Sequence, residues 1–310
     1  MKVHTPSATE VQGSGILHEA LEISRCPRGA ASHFAICHGE KIKYLISLNR
    51  GTPQLRKSMV AYNRKLALLL CLLPILPWFL LALLGIGYFA QVRLHEAILA
   101  HIPEGKHWNI LVGTYDSVQK IILQCFSAES PDCLFVKVGN SGSADQMERE
   151  INFLRSSCSP AHIILPEVVN SALISEGNIF NILITKEFKG EQIPPILNAE
   201  LFRITREIAS HSPVSNEEGY EFTHGDFAPW NIRRKGEKFI VFDWEHCRMR
   251  PRGYDAAYFI IMVEVALYHR LFDEAFDIAA AQIQRLDSSI RLNKQLIYDE
   301  FAKSTKALTF

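Results

Sequence analysis

Residues Phe222–Glu245 read FTHGDFAPWNIRRKGEKFIVFDWE, and the order of polar groups in this stretch decides how the rest of the chain is read. His224, Gly225 and Asp226 follow the short lead-in Glu221-Phe222-Thr223, and Asn231 comes five residues after Asp226. The run Phe239-Ile240-Val241-Phe242 has the β-branched and aromatic content of a strand and delivers Asp243 at its end. One carboxylate to orient a hydroxyl, with an amide and a second carboxylate to hold Mg²⁺, is the set that phosphoryl transfer needs.

HGDFAPWN followed by FDWE resembles the signature of the aminoglycoside phosphotransferase and choline kinase group, which has the protein-kinase-like fold. Protein kinases carry the related pattern H-R-D-x-x-x-x-N and then D-F-G, with the same spacing from Asp to Asn. The match is specific because two separated motifs agree across a strand-like segment, whereas HGD alone would be weak. The resemblance implies that Asp226 is the catalytic base, that Asn231 and Asp243 are Mg²⁺ ligands, and that His224 supports the loop. Gly225 in place of Arg is the small-molecule kinase variant.

The same resemblance assigns the nucleotide site upstream. The strand-like run Cys133–Val138, CLFVKV, carries Lys137, which would contact the α- and β-phosphates. Residues 144–156, ADQMEREINFLRS, have helical spacing, with Met147, Ile151 and Leu154 on one face. Glu150 shares that face, which makes it the expected ion-pair partner of Lys137. A hairpin from Asn109 to Cys125 would lie over the phosphates through Gly113, Thr114 and Ser117. It has one glycine where protein kinases have G-x-G-x-x-G, so it reads equally as a plain β-hairpin. Phe180–Lys186 is a strand, and Glu187 and Phe188 after it are the hinge whose backbone would meet adenine. Asn198–Ser210 is a helix with Asn198 as its N-cap.

Beyond Asp243, Asp255 fits the aspartate that braces the catalytic loop in this group. Arg248, Arg250 and Arg252 either hold an anionic group of the acceptor or pair with local carboxylates, and local pairing is the better default. Arg233-Arg234-Lys235 is expected at the hydrated tip of a hairpin. Asp273, Glu274 and Asp277 are either a cation-binding set or, by preference, a hydrated helix face. Ala256–Val263 is apolar on all sides and so predicts a buried helix.

Composition sets bounds. The chain has 310 residues, 48% of them apolar, enough for a sizeable core. Lys plus Arg equals Asp plus Glu at 33 each, so no basic surplus points to a nucleic-acid partner. The seven cysteines follow no disulfide or zinc framework, which suits a reducing compartment. The segment Leu66–Ala90 has no charged side chain over 25 residues, a length that permits a bilayer span. Arg50, Arg56, Lys57, Arg64 and Lys65 precede it, so a single crossing would export everything after it, away from ATP. Pro74 and Pro77 can bend the run. The favoured reading is a re-entrant or interfacial insertion with both ends cytoplasmic, and the alternative is a buried helical hairpin. Lys41–Leu48 alternates as a strand does.

These readings give an N-terminal extension over residues 1–65, an apolar helical segment over 66–90, a β-rich lobe over 108–186 and a larger helical lobe over 187–310, together a two-lobed α+β fold. The expected activity is an ATP- and Mg²⁺-dependent transfer of phosphate to a hydroxyl of a sugar, an amino alcohol, an aminoglycoside or a lipid-linked glycan. The expected location is the cytoplasm or the cytoplasmic face of a membrane. The rival class is a membrane-tethered pseudokinase acting as a scaffold.

Overall fold

The computed structural model describes residues 16–39, 41–48, 82, 87–102, 107–113, 118–126, 133–156, 160–175, 179–211 and 219–305. The chain divides into two compact units, one of Met1–Asp145 with Val169–Glu187 and one of Gln146–Val168 with Phe188–Phe310.

The first unit is built on a nine-stranded sheet among the described residues. Its strands are β1 (Leu21–Arg25), β2 (His33–His38), β3 (Lys41–Ser47), β4 (Gly87–Leu94), β5 (His107–Val112), β6 (Lys120–Phe126), β7 (Leu134–Asn140), β9 (Val168–Ile174) and β10 (Phe180–Lys186), in the order β1-β4-β2-β3-β5-β6-β7-β10-β9. The pairings from β1 through β10 are antiparallel. Alternation along the strands sorts their side chains between the two faces. Ile110, Ile121, Leu123, Val136, Val138, Phe180 and Ile182 are buried in one core with Ile16, Leu17 and Ala20 of the short helix α1 (Ile16–Ala20). Ile98 of α2 (Glu96–Leu99) joins the same core.

Four of the nine strands therefore come from residues before 95, in the segment read from sequence as an extension and an apolar run. The last residues of that run, Gly87–Ala90, are strand and not helix. Gly87 packs so closely on β2 that a Cβ would lie 1.9 Å from the Ala35 carbonyl oxygen, which only glycine allows. Tyr88 and Phe89 then supply aromatic side chains that suit a pleated surface. Residues 66–81 and 83–86 lie outside the described set, and no helix among the described residues is long and apolar enough to cross a membrane.

The second unit is mainly helical. Its helices are α3, which begins at Ala144 in the first unit and runs to Ser156, α4 (Ala199–Ala209), α5 (Tyr254–Ala266), α6 (Phe272–Leu286) and α7 (Lys294–Thr305). Asn198 caps α4, its Oδ1 accepting the Leu201 N–H at 2.9 Å, while Leu201, Ile204 and Ile208 recur every turn on the buried face. Every residue of α5 from Tyr254 to Val263 is buried, as an all-round apolar helix requires. The unit also holds two small sheets among its described residues. One is β11 (Glu191–Gln192), β13 (Ile232–Lys235), β14 (Lys238–Val241) and β8 (Ile163–Ile164), and the other pairs β12 (Tyr220–Thr223) with β15 (Arg248–Pro251). His224, Asp226, Asn231 and Asp243 sit on the turns that join these strands.

Candidate active site

The His224-Gly225-Asp226 motif begins where β12 ends. Asp255, in the first turn of α5, accepts the His224 N–H at 2.7 Å and the Gly225 N–H at 2.9 Å, so one buried carboxylate clamps two consecutive amides. Burial pushes the Asp255 carboxyl up to about 7, against the pull of those two N–H groups and of Arg250. The His224 ring bridges the two motifs. Its Nε2 donates to the Phe242 carbonyl at 3.0 Å, and its Nδ1 accepts the Asp226 N–H at 3.2 Å. Those partners require the neutral Nε2–H ring, in keeping with a pKa driven down to about 3 by burial.

Gly225 adopts φ +86, and a Cβ there would fall 2.3 Å from Arg250 Nη1 and 2.4 Å from the His246 carbonyl oxygen. The space that a side chain at 225 would fill is thus taken by Arg250. Its Nη1 donates to the His246 carbonyl at 2.7 Å and to Thr223 Oγ1 at 3.0 Å, and its Nε donates to Glu300 at 3.2 Å. Arg248 also pairs with Glu300, and Arg252 donates to Ser289. Arg248 and Arg250 thus share one carboxylate from some fifty residues further along the chain, while Arg252 meets a hydroxyl.

Asp226 is half-buried. Asn231 Nδ2 donates to Asp226 Oδ2 at 2.8 Å and to the Asp226 backbone carbonyl oxygen at 3.0 Å. The Tyr258 hydroxyl of α5 also donates to the carboxylate. Burial first, and then the Asp243 charge, raise Asp226 to about 6. Asp243 sits at φ 71, ψ 56, a left-handed backbone that few residues besides Gly, Asn and Asp adopt. This turn aims β14 into Trp244, whose N–H donates to Glu150 Oε1 at 3.2 Å. Carboxylate oxygens of Glu150, Asp243 and Glu245 all lie within 4.8 Å of one another, a set of hard oxygen donors suited to a divalent cation. Burial opposes charge on the adjacent His246, but its bond to Glu245 and the carboxylates of Glu245, Asp226 and Asp243 outweigh it and raise its pKa.

The second unit thus brings together Glu150, His224, Asp226, Asn231, Asp243 and Asp255. Lys137 and Gly113 belong to the first unit, and Thr114 and Ser117 lie outside the described residues. Lys137 stands in one cross-strand row with Leu111, Ile122 and Leu183, on the face opposite Val136 and Val138. Gly113 has a packing role that sequence alone did not reveal. A Cβ there would meet the Lys120 carbonyl oxygen at 2.7 Å, and the Gly113 N–H donates to that same oxygen at 2.9 Å. Glu187 and Phe188 fall on either side of the boundary between the units. The Phe188 ring stacks on Phe242 at 4.4 Å, and the Glu187 N–H donates to the Cys133 carbonyl.

Other expectations are corrected. The hairpin tip is Gly236-Glu237, not Arg233-Arg234-Lys235. Arg233 is buried and donates to the Trp230 and Ile232 carbonyls, and Arg234 holds Glu200 through both terminal nitrogens. Asp273 on α6 is paired with Lys294 at 2.9 Å, which reduces that helix's negative face. Sequence reading missed Glu245, Arg250 and Tyr258 as members of the site. FDWE carried a signal for Glu245, the carboxylate two residues past Asp243, but a buried arginine and a tyrosine in an apolar run carry none.

No curated protein matches the chain. Among solved structures, amicoumacin kinase hAmiN in complex with AMP-PNP, Ca²⁺ and Ami is similar at 12% identity and TM-score 0.45, over 70% of this chain and 86% of that one. Spectinomycin phosphotransferase APH(9)-Ia with ADP and spectinomycin matches at 15% identity and TM-score 0.39, over 69% and 93%. The Plasmodium vivax ethanolamine kinase Pv091845 matches at 9% identity and TM-score 0.40, over 85% and 90%. Residues 191–288, which contain both HGDFAPWN and FDWE, match the model of the phosphotransferase enzyme family, APH.

Proposed function

We propose that this chain transfers the γ-phosphate of ATP to a hydroxyl of a small molecule. The observation that supports this reading best is the Asp226 carboxylate, pinned by Asn231 at 2.8 Å beside Asp243, within the segment that the phosphotransferase family matches. A carboxylate raised to about 6 stays largely ionised at neutral pH and is a stronger base than an ordinary aspartate. Asp226 would accept the hydroxyl proton as the oxygen attacks phosphorus. The hydrogen bond from Asn231 Nδ2 fixes the carboxylate and leaves Asn231 Oδ1, the atom a metal would take, outside that bond.

Glu150, Asp243 and Glu245 are the carboxylates that would hold Mg²⁺, and the family resemblance adds Asn231 Oδ1. A bound cation would neutralise charge on the phosphates. The role of Lys137 as a phosphate contact is carried over from the family resemblance, as is the two-lobed kinase-like arrangement. The rest of the work is positioning, done by the Asp255 clamp on His224 and Gly225 and by the His224 bridge to Phe242. Sugars, amino alcohols, aminoglycosides and lipid-linked glycans all offer a suitable hydroxyl. Use of ATP would place this domain in the cytoplasm.

A screen of such acceptors with labelled ATP tests the reading. The native chain should label at least one acceptor class in Mg²⁺, and Asp243→Ala should abolish labelling with the melting curve preserved. Full labelling by Asp243→Ala would remove the metal assignment. A thermal shift with Mg·ATP but no transfer to any acceptor would favour the scaffold instead.

A further inference from the structure

Asp226 receives side-chain donors from two different elements. Asn231 comes from the loop itself, and Tyr258 comes from α5. Tyr258 is only 3% exposed, and its ring is wedged between Tyr254, at 5.7 Å, and Phe301 of α7, at 5.8 Å. Tyr254 in turn lies under the Arg250 guanidinium at 4.9 Å, and Glu300 holds Arg250. Residues 300 and 301 of α7 therefore brace both neighbours of the catalytic loop, from beyond the segment that the family matches. Phenylalanine would fill the same slot between Tyr254 and Phe301. A buried phenol needs a partner for its hydroxyl, and this one meets the carboxylate assigned to proton transfer.

We infer that Tyr258 is a positioning residue for Asp226: its hydroxyl fixes the carboxylate that Asn231 holds from the other side, and α7 seats its ring. This rests on the phosphotransfer reading above. Tyr258→Phe removes one oxygen atom and keeps the aromatic stack, so it separates orientation from packing. The assay is phosphate release from Mg·ATP by the full chain, with water as acceptor, run beside thermal melting and an Asp226→Asn control. Asp226→Asn should eliminate turnover. Tyr258→Phe should lower kcat about tenfold while KM for Mg·ATP and the melting midpoint stay at the native values, because a mispositioned base slows the chemical step without weakening nucleotide binding. Native kcat in Tyr258→Phe, with Asp226→Asn inactive, overturns the inference and leaves the phosphotransfer reading standing. Native kcat in Asp226→Asn removes that reading, and the inference falls with it.

Discussion

Gly225→Ala should be strongly destabilising. The residue sits at φ +86, where an L side chain costs roughly 1–2 kcal/mol. The new Cβ would stand 2.3 Å from Arg250 Nη1 and 2.4 Å from the His246 carbonyl oxygen, and the second of these is backbone that cannot rotate away. Relieving the contact means moving the guanidinium, which breaks its bonds to His246 at 2.7 Å and Thr223 at 3.0 Å. Hydrogen bonds to a charged group are worth about 1.5–3 kcal/mol each. Allowing for partial relaxation, the total is about 3–5 kcal/mol, a large share of the stability of a single domain. Gly236→Ala is the built-in control. That glycine has φ +62 but nothing within 4 Å of its would-be Cβ, so it should cost only the backbone strain, about 1 kcal/mol. Urea unfolding followed by tryptophan emission measures both, since Trp230 and Trp244 report on the second unit. Equal losses in the two variants, within about 0.5 kcal/mol, would show that the Arg250 contact does not constrain the loop.

His33 is buried, with Nε2 on the Trp108 carbonyl and its ring stacked on Trp108 at 4.4 Å, and burial drives its pKa down to about 4. Its folded value lies below its unfolded value, so its contribution is complete above pH 6.5 and is lost as pH falls towards 4. The loss at pH 5 should be about 2 kcal/mol, and it should vanish from the difference between pH 7.5 and pH 5 urea melts of His33→Phe. An unchanged pH dependence in that variant would refute the assignment. Glu245→Gln should raise the Mg²⁺ concentration for half-maximal phosphate release about tenfold, because it removes one charge from the carboxylate trio. A Mg²⁺ titration that superimposes on the native one would exclude Glu245 from the metal site.

Several local signals were read correctly because one short stretch held all the information. Asn198 and the periodic Leu201, Ile204 and Ile208 define α4 without reference to anything distant. Lys41–Ser47 alternates and is β3. Tyr254–Val263 is apolar all round and is buried all round. What escaped depends on partners far along the chain. Arg250 looks like one of a basic run until Glu300, fifty residues later, and Gly225 are placed around it. The Glu150 carboxylate takes the Trp244 N–H and lies with Asp243 and Glu245, partners almost a hundred residues on that the periodicity of its own helix does not disclose. Gly87–Ala90 closed an apolar run long enough to suggest a helix, and pairing with β2 and β1 made it strand. Hydrophobic content says that a segment is covered, not which geometry covers it.

The β13–β14 hairpin also limits how this sequence can change length. Asn231 and Asp243 lie just outside its two ends, tied by the Phe242 N–H to the Asn231 carbonyl at 3.2 Å, and each strand between them is in strict register. One residue gained or lost within either strand would turn its side chains to the wrong face and slide the amide past the carboxylate. The exposed turn at Gly236 carries no such restriction. Insertions tolerated in this region should therefore gather at that tip, as far along the ladder from Asn231 and Asp243 as the hairpin reaches.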